Sequence, residues 1–105
     1  MIESARQLES ISNHLTLFTN HTHVLVLIAK QPDARMREIA AMIGITERAV
    51  QRIVDDLTSI GFIAVTKDGR RNRYTIQSHA DLRHPLARHR KVGDLIRFVD
   101  PHFAD

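Results

Sequence analysis

Apolar side chains recur along this chain at intervals of three and four, then at intervals of two, then at three and four again. These changes of period divide the sequence into helices, a hairpin and a closing helix. Over residues 3–17, Leu8, Ile11 and Leu15, continued by Phe18, form a narrow stripe among polar neighbours. Such a stripe docks on its own domain or meets its copy in a second chain. Asn20 is a cap-forming residue type and predicts a second helix running to about Lys30. The centre of that segment, "VLVLIA", fits a buried strand by periodicity alone. A cap before it and Pro32 after it favour a buried helix.

Pro32 and Asp33 predict a turn. Met36, Ile39, Ala40 and Ile43 then share one helical face, and Gly44 suits the left-handed conformation that ends a helix. Thr46 is the expected cap of the next helix, with Glu47 complementing the dipole of its first turn. Val50, Ile53, Val54 and Leu57 are its inward positions, and Gly61 closes it. "FIAVT" and "RYTIQ" are rich in β-branched and aromatic residues and read as two strands. "KDGRRN" lies between them, with the Asp-Gly turn signal at 68 and 69. Residues 78–91 are polar and basic, and Pro85 either opens a helix or breaks the chain. Val92, Leu95, Ile96 and Val99 mark a short amphipathic helix stopped near Pro101.

Composition fits one compact domain: 105 residues, 43% hydrophobic and 26% charged. The absence of Cys excludes disulfides and thiolate metal sites and suits a reducing cytoplasm, the expected location. "MIESARQLES" lacks a basic head followed by an apolar block, so no signal peptide is expected, and no apolar run is long enough to span a bilayer. The net charge is only +3, but it is unevenly spread. Residues 67–91 hold eight Lys or Arg against two Asp, so the remainder of the chain is net acidic by three. A localised basic surface attracts a polyanion or serves as a solvated face.

The order of the elements favours the polyanion. Two short helices joined by a tight glycine turn sit at a large angle, the first bracing the second. Small Ala40 lets them approach, and Ile43 and Ile45 cover the turn. The outward face of the second carries Glu47, Arg48, Gln51, Arg52 and Asp55. A helix of this width fits the major groove of B-DNA, where Arg reads guanine and Gln reads adenine through paired hydrogen bonds. The alternative is a solvated face in which Arg48 and Arg52 pair with Glu47, Asp55 and Asp56, for example Arg52 with Asp56 and Arg48 with Asp55.

The stretch "MREIAAMIGITERAVQRIVDDLTSIGFIAVTKDGRRNRYTI" resembles the winged helix-turn-helix module of small prokaryotic regulators of the MarR and ArsR type, over about residues 20–77. The resemblance implies an α+β, mostly helical fold: a three-helix core with a β-hairpin wing, flanked by N- and C-terminal helices. It divides the chain into an N-terminal dimerisation helix (1–19), a DNA-binding domain (20–77), and a basic segment with a C-terminal dimerisation helix (78–105). It implies a transcriptional regulator of double-stranded DNA, with Thr46, Arg48, Gln51 and Arg52 facing the groove. Arg70 and Arg71 would be wing contacts, supported by Lys67 and Arg73. The stripes at Leu8, Ile11, Leu15 and Phe18 and at Val92, Leu95, Ile96 and Val99 are expected to form a homodimer interface, giving two half-sites on a pseudo-palindrome. "LRHPLARHRKVGDLI" is similar to a segment of small winged-helix proteins of unassigned role and adds no mechanism.

Two other readings compete. The same face would suit a winged-helix interaction module that meets an acidic protein partner. The seven histidines raise a metal-responsive regulator, but their spacing is poor for it. His21 and His23 diverge on a regular helix, as do His84 and His89, and His14, His79 and His102 are scattered. No metal or cofactor is therefore expected. Enzymatic activity is not expected either, because there is no Cys nucleophile, phosphate loop or convincing carboxylate pair. Asp55 and Asp56 point about 100° apart on a helix. The sequence specifies no small-molecule effector.

Overall fold

The structure, a computed structural model, describes residues 17–104. The stripe positions Leu8, Ile11 and Leu15 and all but the last residue of the helix expected over 3–17 lie outside the described residues. Within them the order is α1 (Asn20–Lys30), α2 (Met36–Ile43), α3 (Glu47–Ser59), β1 (Ile63–Asp68), β2 (Arg71–Ile76) and α4 (Val92–Val99).

The "VLVLIA" run is helical. Val24, Leu25, Val26 and Ile28 are buried in α1, and burial on this scale outweighs the weak helix preference of the β-branched residues. The cap lies one residue earlier than expected. Thr19 keeps an extended backbone and its hydroxyl accepts from the Thr22 amide at 3.4 Å, while Asn20 is already helical. Either residue type satisfies the capping chemistry, so the residue at which the backbone leaves the helix decides between them.

α2 buries Ile39 and Ala40, with Met36 and Ile43 packed at the margin of the core. Gly44 then takes φ 85°, a conformation any side chain would strain. The amides of Gly44 and Ile45 both donate to the Ala40 carbonyl, at 2.8 and 3.1 Å, which folds the chain tightly into α3. The Thr46 hydroxyl caps α3 by accepting from the Ala49 amide at 3.0 Å. Val50, Ile53, Val54 and Leu57 form its buried face, as the spacing predicts. At its other end the Phe62 amide donates to the Leu57 carbonyl at 2.9 Å and starts the hairpin.

The hairpin is longer and tighter than expected. β1 and β2 pair antiparallel from Ile63 with Ile76 to Asp68 with Arg71. The turn is therefore the two residues 69 and 70, one position beyond the Asp-Gly reading. Gly69 has φ 67° and Arg70 does not have positive φ, which is the pattern of a hairpin turn with glycine at its first central position. Asp68 stays in the ladder, where its backbone groups are paired instead of left to solvent. The Tyr74 amide donates to the Pro32 carbonyl at 3.3 Å and ties β2 to the α1–α2 turn.

After β2 the chain makes a closed basic loop and returns as α4. Pro85 lies in turns and opens no helix: Ala87 and Arg90 donate to the carbonyls of His84 and Ala87 at 2.8 and 2.9 Å. The expected interface role of the α4 stripe needs correction. Val92 and Ile96 are fully buried in the same core as α1, α2, α3 and the hairpin, and Leu95 packs against it. An apolar stripe on a short helix satisfies itself on the nearest apolar surface, here largely α1. Only Val99, at 44%, remains exposed from that stripe, joined by Phe98 at 77%.

Candidate nucleic-acid interface

The inward residues of α3 fix its outward ones. With Val50, Ile53, Val54 and Leu57 in the core, Arg48, Gln51, Arg52 and Asp55 must point to solvent, and all are exposed. Thr46 is exposed too, but its hydroxyl oxygen is committed to the Ala49 amide. Its hydroxyl proton and methyl remain for a partner.

The acids of α3 do not pair with its arginines. Asp56 accepts a 2.8 Å bond from His21 Nε2, from the first turn of α1. Asp55 accepts from Gln51 Nε2 at 2.9 Å. The solvated pairs weighed from the sequence, Arg52 with Asp56 and Arg48 with Asp55, are absent. Arg48 and Arg52 make no hydrogen bond or ion pair among the described residues. Gln51 differs from a free reader of adenine. Paired reading uses its oxygen and one of its two amide N–H donors, so the bond to Asp55 occupies the other donor and restricts how the amide can turn.

The hairpin lies beside this face. Gln51, Asp55 and Thr58 of α3 and Val65 and Asn72 of the hairpin line one cleft of about 390 Å³. Side chains alternate along each strand. Tyr74 is buried on the helix side, and its partner across the ladder is Val65. Lys67 and Asn72 share that side two positions further out, while Arg71 and Arg73 belong to the opposite side.

The basic residues of the wing therefore divide into two groups. Arg71 donates through Nη2 to the Asp33 backbone carbonyl at 2.5 Å, and Arg73 pairs through Nη1 with the Asp33 carboxylate at 2.7 Å. Both are exposed, and both brace the wing on the α1–α2 turn. Lys67 and Arg70, near and at the tip, make no such bond among the described residues. Asp33 and His21 are the structural residues the sequence reading missed as partners of the site. Asp33 was legible as a turn former, but nothing local joins it to an arginine 40 residues away.

No three His, Asp or Glu side chains gather as a metal-binding group among the described residues. No helix there is long and apolar enough to cross a membrane. A family model described as the MarR family matches residues 19–73, just over half of the chain. No curated protein matches it. The matched segment runs from the cap of α1 to the middle of β2, and so spans α1, α2, α3, the glycine turn and most of the wing.

Proposed function

The chain belongs to the MarR family of DNA-binding transcription regulators, and we propose that it regulates by sequence-specific contact with duplex DNA through α3 and the wing. The supporting observation is the pair of unengaged guanidiniums, Arg48 and Arg52, on the outer face of α3, while two of that helix's three acids, Asp55 and Asp56, are held by Gln51 and His21. Surface arginines beside free carboxylates would form a solvated face. Here Asp55 and Asp56 are occupied, Glu47 forms no ion pair with either arginine among the described residues, and the two cations are left to a partner.

In the complex α3 enters the major groove with its first two turns. Arg48 and Arg52 take guanine edges or phosphates, each well-placed paired contact being worth about 1–3 kcal/mol of base discrimination. Thr46 touches backbone or a thymine methyl. Lys67 and Arg70 reach phosphates beside the groove, and Arg71 and Arg73 hold the wing against Asp33 so that its tip is in place. The family's members are regulators and not enzymes, and this chain works by binding. DNA is its partner in the cytoplasm.

One domain of this size makes limited contact. The protein acts as a homodimer reading half-sites about one helical turn, ~10 bp, apart. Phe98 and Val99 support an apolar contact with a second chain, as do Leu17, 94% exposed, and Phe18, which meets Phe98 edge-on at 6.4 Å between ring centroids. Leu8, Ile11 and Leu15 extend that surface in the proposal. Selection from a random duplex pool at moderate salt tests the whole reading. A recovered pseudo-palindrome is expected, and the absence of any enriched sequence would refute it.

A further inference from the structure

Residues 80–91 form a second basic structure, on chain that leaves the hairpin at the end opposite the wing tip. Arg83, Arg88 and His89 line an open depression of about 570 Å³ together with Ala80, Asp81 and Leu82. The loop is pinned, not loose. Leu82 donates to the Arg90 carbonyl at 2.9 Å and Val92 to the Ala80 carbonyl at 2.8 Å, closing its neck. The Leu86 amide donates to His84 Nδ1 at 3.1 Å within it. Ala80 and Leu82 pack on the core beneath. A fixed backbone presents its cations with little ordering cost on binding.

The acid in the depression does not neutralise these cations. Asp81 is taken by the Lys91 ammonium across the loop's neck, and that hydrogen bond, with the charge of Lys91 and then of Arg83, holds its carboxyl below the usual range. Arg83 and Arg88 form no hydrogen bond or ion pair among the described residues. The depression is thus cationic, with two planar donor forks and an imidazole around a volume suited to a small molecule.

We propose that this depression binds a small phosphate-bearing anion. A monocarboxylate satisfies one guanidinium. A phosphoryl group offers three oxygens and up to two charges, enough for both forks at once. The source is an anion in solution and not the DNA beneath the wing. The loop leaves from the Ile76 end of the hairpin, and the tip at Gly69 lies seven residues away, about 23 Å at roughly 3.3 Å per residue. Anion binding here does not rest on the duplex contacts of α3 and the wing, and its primary test uses no DNA.

The probe is inorganic pyrophosphate, titrated into the full chain by calorimetry at low ionic strength, with chloride as the matched control. Saturable binding of one anion per chain is expected. Replacing both arginines, Arg83→Ala with Arg88→Ala, should weaken it by at least about tenfold, the worth of a charge-assisted hydrogen bond, with thermal unfolding unchanged. Arg48→Ala with Arg52→Ala should leave it intact. Amide shifts in the wild-type protein should centre on residues 80–90, a readout that needs no variant. Absence of saturable heat, or shifts centred on 46–52 or 67–73, would overturn the proposal. So would a double variant that loses duplex affinity while pyrophosphate gives no heat, because the loop's ligand would then be the DNA backbone.

Discussion

Helix α4 has two faces with opposite expected behaviour, and Ile96→Ala against Phe98→Ala separates them. Ile96 has no exposed surface and sits in the core with Val24, Ile28 and Val92. Truncating a fully buried isoleucine removes its transfer energy and leaves a cavity, together about 2–5 kcal/mol. For a domain near 100 residues that lowers the unfolding temperature by on the order of 10 °C or more. Phe98 is 77% exposed, and its described contact is the edge-on ring of Phe18. Its truncation should cost roughly 1 kcal/mol, the worth of one aromatic pair. Urea unfolding followed by circular dichroism, at two protein concentrations tenfold apart, measures both. Ile96→Ala should lose the same stability at either concentration. Phe98→Ala should fold nearly as well as wild type but shift the monomer–dimer equilibrium seen by light scattering. An Ile96→Ala protein within about 0.5 kcal/mol of wild type, the usual range for surface changes, would show that α4 is not part of the core. A Phe98→Ala protein as unstable as Ile96→Ala would refute the division of faces.

Asp33→Ala should release Arg73 from the α1–α2 turn while Arg71 keeps its bond to the backbone carbonyl of residue 33, so hydrogen exchange at the hairpin amides should rise modestly while the α3 amides stay protected; unchanged exchange would remove the bracing role of the Arg73–Asp33 pair. Thr46→Ala should lower stability by about 1 kcal/mol through the lost cap, with base preference retained if Thr46 serves mainly to start α3. Stability should also fall in acid through residues 78–94. The Lys91 ammonium lowers the Asp81 carboxyl, and the Lys91 backbone amide lowers that of Asp94, from a usual value of 3.8. A carboxyl lowered in the folded state stabilises fully above its unfolded value and loses that contribution as pH falls through the folded one. Asp81→Asn with Asp94→Asn should therefore flatten the pH dependence of unfolding below about pH 4, in the carboxylate range, and an unchanged profile would contradict the assignment.

What the sequence reveals here depends on how local each signal is. The glycine turn at Gly44, the Thr46 cap and the inward set of α3 are each written within about four residues, and each stands where expected. The hairpin was legible but its turn was misplaced by one residue, because Asp-Gly and Gly-Arg both satisfy turn chemistry and only the ladder register chooses between them. The apolar face of α4 was legible, but what it meets was not. Periodicity shows that a face must be covered and is silent on whether the cover is the same chain or another. The least legible features are the polar partnerships. His21 with Asp56 and Arg73 with Asp33 join residues 35 and 40 positions apart. The first pair occupies an acid that could otherwise face Arg52, and the second occupies a wing arginine, so each changes which cations the proposed interface has to offer.

The central claim is tested most directly by the salt dependence of duplex affinity, on a selected site and on a scrambled one, for wild type and for Arg48→Ala with Arg52→Ala. The wild type should prefer its site, and the logarithm of its affinity should fall linearly with the logarithm of salt concentration. The variant should lose much of that preference, and its slope should be shallower by about 0.9 for each phosphate contact removed. Equal affinity, preference and slope in the two proteins would contradict the account.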